Sequence, residues 1–245
     1  MRAGTDPACR TLHPIEPDIQ YHRGYGVIER DYIMRMIDQL SKVLARILFL
    51  KTSHEFPKAA HELATASRNL LGLDRELILL MSDTQLIELL KAEDAIAGPK
   101  CYVLGMLLKE EAALASAGDV KDREEGLLIK SLSLLTEAYS RSGGLVVPSH
   151  GLAIDAVCAA LHGVPLPLQV NERLFTYYEA TGRYDRAEDV LFDMIDQDTR
   201  HIHTGLQFYE RLGKKDDAEL IRGNLPRDEV NEALRELANR ARQPG

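Results

Sequence analysis

The chain has 245 residues, with 30 lysines and arginines against 38 aspartates and glutamates and a formal net charge of −8. Hydrophobic residues make up 45%, aromatic ones only 6%, and tryptophan is absent, so leucine and alanine carry the core and favour helices over sheets. Residues 101–200 hold 9 basic and 16 acidic side chains, a net −7, and an acidic centre argues against nucleic acid as a partner, because phosphate binding needs a basic face.

Residues 1–27 carry Pro7, Pro14, Pro17, Gly4, Gly24 and Gly26 without any helical period, which predicts a disordered N-terminal extension. The stretch has no apolar core of a secretory signal. Val27 stands directly before the first periodic segment, and a GUG codon there would serve as a bacterial start. The expectation is therefore that translation begins at or near Val27, with a genuine disordered tail as the alternative. The cysteines Cys9, Cys101 and Cys158 are odd in number and widely spaced. They predict neither a disulfide framework nor a zinc site, and free thiols fit a cytoplasmic location. No apolar run is long enough to span a bilayer.

From Ile28 the period becomes 3.6, with Ile33, Met36, Ile37, Leu40, Val43, Leu44, Ile47 and Leu48 on one stripe. That predicts a long amphipathic helix ending before Pro57. Its charges alternate in sign, which favours packing within a bundle over a membrane surface. Pro57 opens a second helix that Gly72 stops. Residues 74–90 read as one broken helix or two, with Ser82-Asp83 as the cap between them. Further helices follow from Gly98-Pro99 to Gly118, over 122–141, and from Ser149 to Gly163. We expect an N-terminal helical region over 28–98, continuous with a helical-hairpin region over 99–242.

The C-terminal third shows internal repetition. Tyr178, Gly182, Ala187 and Leu191 are spaced by four, five and four residues, and Tyr209, Gly213 and Ala218 repeat the first offsets thirty-one residues on. A tyrosine packing on the partner helix, a glycine exit and a small alanine at a close crossing describe a helical hairpin. Self-similarity at this period predicts tetratricopeptide-type units. The fold class expected is all-α: a superhelix of such hairpins, with a long N-terminal helix. The last helix, PRDEVNEALRELANRA, has Val230, Leu234, Leu237 and Ala241 on one side and reads as a capping helix.

Three stretches, DYIMRMIDQL (31–40), YYEATGRYDRAEDVLF (177–192) and LPRDEV (225–230), together resemble an uncharacterised bacterial family of cytoplasmic, tetratricopeptide-like proteins. The likeness covers roughly residues 28–240, and the N-terminal helix motif is its most specific part. It implies a helical-repeat fold and brings no activity, ligand or catalytic residue.

Candidate chemistry is sparse. His54 and His61 are seven apart but Pro57 separates them, and HExxH is missing. His201 and His203 cannot share a metal from one helix face. The carboxylates from Asp185 to Asp198 lack calcium-loop spacing and read as a solvated face. Gly143-Gly144 lacks the lysine of a phosphate loop, no GxSxG accompanies Ser149-His150, and Cys158 reads as a buried, inert thiol. No cofactor, metal or catalytic residue is expected. The leading reading is a non-enzymatic scaffold that binds a protein or peptide. The alternatives are a helical enzyme of unknown reaction and a self-assembling structural protein, the latter favoured by any exposed apolar stripe on helix 28–53. In hairpin repeats the first helix of each pair lines the inner surface. Glu172, Thr176 and Glu179 on one such helix, with Arg200, His203, Gln207 and Glu210 on the next, are the expected partner-binding residues.

Overall fold

The computed structural model describes residues 27–91, 96–117 and 121–242; the expectations for the first 26 residues lie outside them. The described residues are 82% helical and contain no strand. The long amphipathic stripe forms α1 (Val27–Thr52), and α2 follows over Phe56–Leu71. Gly72 ends α2 in the left-handed conformation, φ 69°, and donates back to the Arg68 carbonyl, an exit that a side chain would strain. Residues 74–90 form two helices, α3 (Arg75–Leu80) and α4 (Asp83–Leu90). Ser82 divides them through a reciprocal capping box with Gln85, which satisfies two otherwise orphaned backbone donors.

The central pair is α5 (Ala97–Ala117) and α6 (Lys121–Ser142), followed by α7 (His150–Ala160). Cys101, Val103 and Leu104 are all fully buried, so α5 is covered on nearly every side. An ideal Cβ on Gly105 would stand 2.9 Å from Leu135 Cγ, which is why a glycine occupies this crossing. The next pair is α8 (Leu168–Ala180) and α9 (Tyr184–Gln197). There Tyr178 is 5% exposed while Ala187 and Leu191 are 0% exposed, as the repeat spacing predicts. Each fully buried leucine of this kind contributes about 2 kcal/mol of transfer free energy.

A 3-10 turn (Thr199–His201) leads into α10 (Ile202–Leu212), α11 (Asp217–Arg222) and α12 (Arg227–Arg240). Pairs pack in chain order: α1 on α2, α2 on α5, α5 on α6, α6 on α7 and α8, α8 on α9, and α10 on α12. The contact of α2 with α5 joins the chain before and after residue 98.

The second repeat differs from the spacing rule. Ala218 is exposed, and α11 is only six residues long with Leu220 as its one fully buried side chain. Gly213 keeps right-handed geometry, φ −57°, so it does not turn the chain as Gly182 does with φ 73°. The close crossing falls elsewhere. A Cβ on Gly205 of α10 would meet Leu237 of α12 at 2.6 Å and Leu191 of α9 at 3.2 Å. The closing residue of this second unit is thus supplied by the more distant α12, which can bury Val230 and Leu237 completely.

Candidate functional site

Positions 172, 176 and 179 are three or four residues apart and share one face of α8. Glu172 and Thr176 are exposed and Glu179 is half-buried. Arg211 Nε donates to Glu179 Oε1 at 2.6 Å and Arg211 Nη2 to Glu179 Oε2 at 2.8 Å, a bidentate pair that fixes both side chains. The bond to Glu179 raises the Arg211 guanidinium above its usual pKa. Nearer the start of α8, His201 Nε2 lies 3.6 Å from Glu172 Oε1. The Glu179–Arg211 pair therefore ties α8 to α10.

Beside them opens a cleft of about 750 Å³, lined by Thr176, Glu179, Tyr184, Arg211, Lys214, Lys215 and Glu219. Tyr184 Oη donates to Glu219 Oε1 at 2.7 Å, and Lys215 Nζ donates to the same oxygen at 2.6 Å. Lys215, then Tyr184, holds the Glu219 carboxyl below its usual range. The two acids of the cleft are each matched by a base, whereas Lys214 makes no ion pair among the described residues. The cleft is left with one positive charge.

A second cleft of about 170 Å³ lies between α6 and α8, lined by Glu137, Tyr139, Glu172, Arg173, Thr176 and Tyr177 among others. Its floor is stitched by Arg173, whose Nε donates to Glu137 Oε2 at 3.2 Å and whose Nη1 donates to Ser133 Oγ at 3.0 Å. Arg141 Nε donates to the other Glu137 oxygen at 2.6 Å. Thr176 lines both clefts. The surface along α8 is continuous from α6 to α10.

The remaining expected residues fall elsewhere. Arg200 is exposed and forks back onto Asp198 at 2.9 and 2.6 Å. Gln207 Nε2 and His203 Nε2 are 2.9 Å apart within α10, and Glu210 is exposed. None of Arg200, His203, Gln207 and Glu210 lines either cleft. Sequence reasoning passed over Arg211, Lys215, Tyr184 and Arg173. The thirty-one-residue repeat carries Glu179 onto Glu210, a like charge. The partner that the structure uses is one residue further on, and opposite charge was the available signal.

Other reactive groups are structural. His150 is fully buried, its Nδ1 accepting from the Val146 amide at 3.3 Å and its Nε2 lying 2.9 Å from the Leu135 carbonyl. Burial lowers its pKa to about 4, so it is a neutral ring that ties two backbone segments together. Burial pushes the Cys101 thiol up to about 12 and raises that of Cys158; both are protonated and poor nucleophiles at neutral pH. His54 and His61 are exposed, as are Asp189, Asp193 and Asp196. Among the described residues there is no group of three or more metal-ligating side chains. Nor is any helix there long and apolar enough to cross a membrane.

A family model described as "Family of unknown function (DUF6483)" matches residues 27–242. No curated protein and no solved structure matches the chain.

Proposed function

We propose that this chain, which belongs to that family of unknown function, is a non-enzymatic scaffold of tetratricopeptide-like helical hairpins that binds a protein or peptide along α8. The observation that carries this reading is the pair of clefts meeting at Thr176. Together they form a path that runs from α6 along α8 to α10, with its fixed charges already paired by Glu179–Arg211 and Arg173–Glu137. Such a floor is preorganised, so an extended peptide can lie on it without first ordering the side chains it touches. The hairpin reading is supported by the buried Tyr178, Ala187 and Leu191 of α8–α9 and by helix pairs that pack in chain order, as stacked repeats do. In that arrangement α8 and α10, each the first helix of its pair, line the inner surface, and the unpaired Lys214 favours ligands carrying a carboxylate.

Selection from a random peptide library on the purified chain tests the proposal. Peptides should enrich, their binding should be lost in Thr176→Arg, and it should survive Asp189→Arg on the exposed face of α9. Failure to enrich any peptide, or equal loss in both variants, would overturn it.

A further inference from the structure

We propose that the path along α8 selects peptides carrying two opposite charges, a basic side chain set over Glu172 and an acidic one over Lys214, about four or five residues apart. This rests on the peptide reading above and adds the chemistry and spacing of the ligand. Each cleft is left with one unmatched charge, and the two differ in sign. In the larger cleft Arg211 is taken up by Glu179 and Lys215 by Glu219, which leaves the exposed Lys214. At the smaller cleft Arg141 and Arg173 offset Glu137, at 2.6 and 3.2 Å, and Asp83, 3.7 Å from Arg173. Glu172 lines that cleft as well and is exposed. Among the described residues no base is hydrogen-bonded to its carboxylate, since His201 Nε2 stands 3.6 Å away, beyond hydrogen-bond range. The half-buried Tyr139 lines the same cleft, and an aromatic ring strengthens the hold on a cation.

The spacing follows from the helices. Glu172 approaches His201, just before α10, and Glu179 pairs with Arg211 near the end of α10, so α8 and α10 run in the same direction. Glu179 lies two turns beyond Glu172, about 10 Å of rise, and Lys214 lies one turn beyond Arg211, about 5 Å more. The Lys214 amide still donates to the Arg211 carbonyl at 3.2 Å, which continues the helical path to it. The two unmatched charges are therefore roughly 15 Å apart along the path, a span that about four or five residues of extended chain cover. Between them stands the exposed Thr176, short enough for a peptide backbone to pass over. A peptide charged with one sign only would set a like charge against Glu172 or Lys214, and such juxtapositions suppress binding.

Random peptides displayed on phage are panned on the full chain, after removal of phage that also bind Thr176→Arg. The enriched peptides should carry a Lys or Arg and an Asp or Glu about four or five residues apart, in one constant order along the peptide. A synthetic peptide of that kind should bind at least about fivefold more weakly to Glu172→Lys and to Lys214→Glu, both at exposed positions. Panning on the double variant should enrich peptides in the reverse order, and the synthetic peptide with its two charges exchanged should bind it better than the original. Enriched peptides without such a pair, or with the same order on the native chain and the double variant, overturn this inference and leave the peptide reading standing. Failure to enrich any peptide overturns that reading and this inference with it.

Discussion

His150 shows how one buried side chain can set a pH dependence. Its ring is fully buried beside Tyr102, with 4.9 Å between ring centroids, and its pKa falls to about 4 from an ordinary 6.5. The unfolded chain takes up a proton below pH 6.5 that the folded ring refuses. Stability from this group is therefore fully present above pH 6.5 and is lost as the pH falls towards 4, at most about 3 kcal/mol. His150→Gln can still donate to the Leu135 carbonyl but cannot titrate. Urea melts at pH 7 and pH 4.5 should show a smaller loss in the variant than in the native chain. Equal losses would mean that His150 is protonated without cost in the fold. The preference for a helix starting after Ser149 was legible from sequence; the anchoring role of its first residue was not, since the Leu135 carbonyl that its ring reaches lies back in α6.

At the scale of elements, the hairpin of α8 and α9 rests on Ala187. Its neighbours along α9, Tyr184 and Leu191, are fully buried with it, and the exit glycine Gly182 is left-handed at φ 73°. Ala187→Leu adds three carbons where no space exists, and overpacking of this kind costs about 1–3 kcal/mol. Thermal unfolding should show a clearly lowered midpoint, whereas an unchanged midpoint would mean that the crossing is loose. This hairpin was readable because all its determinants lie within one short window. The next was not. Its spacing pointed to Ala218, but the close approach is made by Gly205 against Leu237, thirty-two residues away in sequence. A local pattern carries no information on which later segment fills the position.

For the whole molecule, packing in chain order means that each helix pair depends on its neighbour. The C-terminal α12 is the test case. Val230 and Leu237 are fully buried, and Arg227 Nη1 donates to the Gly213 carbonyl at 2.8 Å. Deleting residues 226–245 uncovers Gly205 and Leu191 and leaves α10 without its partner. The truncated chain should melt at a lower temperature and lose solubility. A truncated chain as soluble and as stable as the intact one would contradict the capping role.

Amino-acid sequence alone determined the helical class, nearly every helix boundary, and the burial of Tyr178, Ala187 and Leu191. These follow from periodicity, glycine and proline punctuation and caps, all of which act within a few residues. Only the tertiary structure decided which polar residues meet. Glu179 finds Arg211, and Arg173 finds Glu137 and Ser133, across pairs of helices whose rotation about their own axes sets the register. The same holds for α1. Its sequence shows a stripe that buries Ile33, Met36, Leu40 and Ile47, but Leu48 sits on the far side, exposed beside Phe49. A helix face turns outward when its neighbours on either side are already packed, and that depends on the placement of α2 and α5 rather than on any property of α1 itself.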